Sequence, residues 1–152
     1  MAAKTRATNH PPGDVWLAEC TGHTRLAHEV WSVGGLVPIH CTHWLAVEAQ
    51  LLTALEARKR MPSRARGPLL IDSGLEVAWW LVPLDAADDL ADIRPLTVHP
   101  YDWPLHCPSS QRPACGRFWL DAPDGSGVIT DPVYLAAAVG PAAGRLRAEA
   151  FG

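Results

Sequence analysis

Several residues in this chain are of types that could do chemistry. His40-Cys41-Thr42-His43 and His106-Cys107, with Cys115 further on, place imidazoles and thiols in two separated stretches. Zinc takes such ligands tetrahedrally, commonly as close pairs from two loops, so Cys41, His43, Cys107 and Cys115 are the candidate set for a zinc-stabilised binding module. The Cys-x-His and Cys-x7-Cys spacings match no standard zinc motif, and the chain has no Cys-x-x-Cys. Buried thiols acting as small hydrophobes, beside loop histidines, are the reading adopted. Cys107 next to His106, with Asp102 and His99 nearby, also presents the parts of a thiol hydrolase. Neighbours on an extended chain point apart, however, and a triad is defined by geometry. No nucleophile elbow, Walker loop or dinucleotide fingerprint is present.

Five of the 13 Lys and Arg residues fall within nine positions, as Arg58, Lys59, Arg60, Arg64 and Arg66. Guanidinium forks match phosphates, so this run is the candidate nucleic-acid or phosphate contact. A helix C-terminus also attracts positive charge, which gives the run a purely structural explanation. No aromatic residue interleaves it, which argues against a single-strand stacking platform. The seven tryptophans are expected mainly in the core, with Trp103, inside a proline-rich stretch, the candidate for exposure.

Elements must hold these residues in place. The polar segment 1–13, ending His10-Pro11-Pro12-Gly13, reads as a disordered tail and 141–152 as a short C-terminal helix or tail, leaving residues 14–140 as one domain. A short helix is predicted over Thr24–Ser32 and an edge strand over Val33–Cys41, broken by Gly34-Gly35 and blunted by Pro38. Trp44 to Arg60 carries a helical apolar stripe with Glu48 facing water. Trp44–Val47 is alternatively a strand leading into a shorter helix. Two apolar runs, Gly67–Asp72 and Leu75–Leu84, flank an Asp-Ser-Gly turn and predict a β-hairpin. The second run is apolar on both faces, as a central strand is. A short acidic helix or turn over Asp85–Asp92, strands at Leu96–Val98 and Gly116–Leu120, an irregular stretch from His99 to Pro113 and a turn at Asp124–Gly127 follow. A last helix is capped by Asp131 with Pro132 at its first position.

The expected fold is therefore α/β in the α+β sense. It is a mixed, mostly antiparallel sheet of four to five strands with two main helices on one face. The 152 residues fit one domain, and 48% hydrophobic residues exclude wholesale disorder. Sixteen acidic against 13 basic residues lack the surplus expected of a protein built around nucleic acid. No run of about 18 apolar residues predicts a membrane span, and the N-terminus has no hydrophobic signal region, so a cytoplasmic location is expected.

Trp44-Leu45-Ala46-Val47, Gly67-Pro68-Leu69-Leu70-Ile71-Asp72, Trp79-Trp80-Leu81-Val82-Pro83, Phe118-Trp119-Leu120 and Asp131-Pro132-Val133 are spread from Trp44 to about Val139, about two-thirds of the chain. In these markers it resembles a group of small proteins of high-GC bacteria related to the bifunctional primase/polymerase N-terminal domain. The resemblance implies metal-assisted nucleotide processing by an acidic pair alternating along a strand, whose carboxylates share cations about 3.5–4 Å apart. Here the second position of that pair is Gly74, leaving Asp72 with only Glu76, across the turn, as a candidate partner. The expectation is thus a non-catalytic accessory or regulatory domain acting through protein or nucleic-acid contacts. The nucleotide-processing enzyme and the zinc module are the alternatives.

Overall fold

Val77–Val82 (β4) is buried on both faces, with Ala78, Trp80 and Val82 pointing one way and Trp79 and Leu81 the other. A strand of that composition belongs in the middle of a sheet whose two faces are both covered. In the computed structural model, which describes residues 9–140, it lies there. The five-stranded sheet has the order β5-β2-β4-β3-β7 and is antiparallel throughout. Its strands are Leu45–Gln50 (β2), Leu69–Asp72 (β3), β4, Thr97–Val98 (β5) and Arg117–Asp121 (β7). The expected hairpin is β3–β4, with Asp72 opposite Val77.

One face carries the two main helices, Leu51–Arg60 (α3) and Pro132–Val139 (α5), with the single turn Ala87–Leu90 (α4). The Asp131 carboxylate caps α5 by accepting the Val133 N–H at 2.9 Å, and Pro132 fills a position that needs no donor. The opposite face is covered by two N-terminal helices, Pro12–Thr21 (α1) and Thr24–Ser32 (α2). Beside them lies a two-stranded ribbon of Val37–His40 (β1) and Pro104–Cys107 (β6). The domain is therefore three layers with two cores.

Several elements differ from the sequence expectation. Leu45–Gln50 is a strand, the shorter-helix alternative, because Leu45, Val47 and Ala49 enter one core while Ala46 enters the other, a period of two. Residues 12 and 13, read as the end of a tail, open α1. Gly13 is buried there, where a Cβ would lie 2.1 Å from the Pro123 carbonyl oxygen. The stretch read as irregular contains β6, whose Leu105 and Cys107 alternate inward while His106 faces out. The expectations for residues 1–8 and 141–152 lie outside the described residues. No helix among the described residues is long and apolar enough to cross a membrane.

Candidate functional site

Where the second layer ends, the sheet face carries a row of polar groups instead of apolar ones. Asp72 closes β3 and Arg117 opens β7. Their register sets them opposite, so both side chains stand on the same face. Arg117 Nε donates to Asp72 Oδ2 at 2.9 Å, and Nη1 donates to the His106 carbonyl at 2.7 Å. The guanidinium lies 4.6 Å from the Trp79 ring centroid, a cation–π contact. Asp72 Oδ1 accepts the Leu75 N–H at 2.9 Å. Burial disfavours the Asp72 charge, but the Leu75 N–H, the Arg117 guanidinium and the Gly74 N–H outweigh it and hold the carboxyl below its ordinary range.

Trp79 continues the row. Its register partner on β2 is Glu48, and the indole Nε1 donates to Glu48 Oε1 at 2.9 Å. His99 Nε2 meets the same oxygen at 3.0 Å. A carboxylate only accepts, so this nitrogen carries the hydrogen. The His99 ring stacks on Trp103 with centroids 3.6 Å apart and planes 6° apart. Trp103, expected to be exposed, is half-buried against that imidazole. Glu48 and Arg117 are the members of this row that sequence reasoning missed, and His99 it placed in the hydrolase grouping instead. The signal for Glu48 was the strand pattern of Leu45–Gln50: once that segment is a strand, Glu48 shares a face with Ala46 and turns inward.

The row is made of closed partnerships. Both Asp72 oxygens are engaged, while Glu76 stands exposed in the β3–β4 turn at φ 56°, its carbonyl accepting the Leu51 N–H. The structure therefore gives Asp72 a cation as its partner, not the carboxylate of Glu76. Among the described residues no group of three or more His, Cys, Asp or Glu is placed to hold a metal ion.

The four residues of the zinc candidate are not gathered into one group. Cys41 and Cys107 are fully buried in the second core, Cys115 is exposed in a turn at φ 52°, and His43 is exposed beside Thr42. Burial pushes the Cys41 thiol up to about 12. It raises Cys107 as well, with the neighbouring Cys41 adding to the effect. Thiols held protonated are poor nucleophiles. His106 and Cys107 point to opposite sides of β6, His99 is held by Glu48, and Asp102 contacts His40. The hydrolase grouping is not assembled.

The basic run is engaged by the protein itself. Arg58 forms a two-pronged bond to Asp121 at 2.7 and 2.8 Å, which raises its pKa, chiefly through that hydrogen bond. Arg60 donates to the Ala138 carbonyl, tying α3 to α5. Lys59 pairs with Glu56 at 3.6 Å. Arg64 bonds the Tyr134 hydroxyl and lies 5.3 Å from its ring centroid, and Arg66 donates to the Met61 carbonyl.

These features define an α+β domain with an antiparallel five-stranded sheet, covered on both faces and interrupted by one row of paired polar groups. Comparison of the chain with protein-family models, curated proteins and solved structures finds no match in any of the three.

Proposed function

We propose that this chain is a non-catalytic accessory or regulatory domain that works by contact, with a protein partner in preference to a nucleic acid. The observation that carries the reading is the Asp72–Arg117 pair, which engages with a fixed positive charge the one carboxylate that a two-cation site would need free to ligate. It accords with a primase/polymerase ancestry in which the acidic cradle is absent. Preference for protein rests on the basic run: Arg58, Arg60, Arg64 and Arg66 each already donate within the chain, so a phosphate must compete with an existing acceptor.

Two assays on the full chain test this. Nucleotide hydrolysis and primer extension with Mg²⁺ or Mn²⁺ are expected to stay at background. Metal-dependent turnover that disappears in Asp72→Asn overturns the reading and restores the enzyme. Retardation of DNA that weakens in the Arg58→Ala/Arg60→Ala double variant moves the contact from protein to nucleic acid.

A further inference from the structure

Residues 9–11 lie against α2 through one aromatic contact. The His10 and His28 imidazoles are stacked, with centroids 3.6 Å and planes 9° apart, and His28 meets Trp31 edge-on at 5.7 Å. The pair borders a cleft of about 230 Å³ also lined by Asp14, Ser109, Gln111 and Arg112. Just beyond the stack, the Val15 N–H bonds the Pro11 carbonyl at 3.1 Å, the first backbone bond of α1.

Two imidazoles at this separation can share one proton's worth of charge, because a cation stacks well on a neutral ring. Two imidazolium ions at contact distance oppose each other. From α1, Asp14 faces the pair and favours a first proton; its oxygens also accept from Ser109 Oγ at 2.8 Å and Ser110 N at 2.6 Å. From the segment after β6, Arg112 lines the same cleft, its Nη2 on the Trp31 carbonyl. On α2 itself, Arg25 and Glu29 pair with each other on the exposed side at 3.3 Å.

We propose that the His10–His28 stack is an acid-operated latch: it holds the entry to α1 against α2 near neutral pH and opens when acid charges the stack. Burial lowers the His28 pKa, His10 lowers it further, and Asp14 partly offsets them. The folded state thus favours neutral His28. The contribution of His28 to the contact is present above the ordinary imidazole value of about 6.5 and declines as pH falls through the lower folded value. Opening frees the Pro11 carbonyl and uncovers the Asp14 side of the cleft, so the surface that α1 and α2 present to a partner changes with pH. The inference is independent of the proposed function.

Hydrogen exchange at the Val15 amide, corrected for intrinsic rate, reads the latch directly. In the wild-type chain its protection is expected to fall about tenfold between about pH 7.5 and about pH 5. His28→Phe and His10→Phe each keep an aromatic face but only one titrating ring, and protection in both is expected to stay level. Should His28→Phe fail to fold, His10→Phe, which precedes the first helix, still decides. Level protection in the wild type, or an equal fall in a folded variant, overturns the proposal.

Discussion

Asp72 and Arg117 sit opposite each other on neighbouring strands, joined by a 2.9 Å bond, with side chains only 10% and 15% exposed. The pair links the β3–β4 turn, the start of β7 and, through the His106 carbonyl, the end of the β1–β6 ribbon. It is a structural joint where the family resemblance leads one to expect a cation site.

Removing one partner leaves the other buried and uncompensated. Arg117→Ala is expected to destabilise the domain by about 3 kcal/mol, and the joint change to Asp72→Asn/Arg117→Met by much less, because no charge is then left without a partner. Urea unfolding of the three proteins measures both. Equal losses in the single and double variants would show that the charge is not what matters.

The depressed Asp72 pKa has a directional consequence. The folded state binds the Asp72 proton more weakly than the unfolded chain does, so its contribution to stability is present above the ordinary carboxyl value of about 3.9 and declines as pH falls through the lower folded value. Acid titration of stability is therefore expected to be shallower below about pH 4 in Asp72→Asn than in the wild type. The two curves should converge at the acid end.

Glu48 holds two donors on a single oxygen, the Trp79 indole N–H and His99 Nε2. Glu48→Ala strands both, one of them on a side chain that is 3% exposed, and is expected to cost about 2–3 kcal/mol. Glu48→Gln keeps an acceptor oxygen and should lose about half of that. Thermal denaturation ranks the two, and the reverse order would remove the acceptor role.

Thiol accessibility separates the four cysteines. Cys115 is exposed, whereas Cys20, Cys41 and Cys107 are buried. An aromatic disulfide reagent is expected to titrate one thiol per native chain and all four after unfolding. Substituting Cys115→Ser should abolish the native reaction. Rapid modification of two or more native thiols would contradict the buried placement of the second-core cysteines.

Much of the architecture was legible in local patterns, because those patterns report directly on local chemistry. The β3–β4 hairpin followed from two apolar runs around a short polar turn, and α5 from its Asp-Pro start. The central position of β4 followed from the double-sided apolarity of Val77–Val82. In the N-terminal layer α2 was legible, at Thr24–Ser32, but α1 was not. Pro12–Thr21 buries Leu17, Ala18 and Cys20 but lacks a clean apolar stripe, since Gly13 and Asp14 are also buried by close packing and by bonds to Ser109 and Ser110 about a hundred residues away in the chain. The same holds for Glu48. Its polarity suits a solvated helix face, and only the pairing of β2 with β4 turns it toward Trp79.

By itself, then, the sequence determined the elements whose apolar periodicity or end-capping chemistry is local. Tertiary structure alone decided which polar groups meet: Asp72 with Arg117, Arg58 with Asp121, Glu48 with His99. The physical reason is that a charged residue's partner depends on strand register and layer contact, which place groups 45, 63 and 51 positions apart within hydrogen-bond distance. No local pattern encodes such distances.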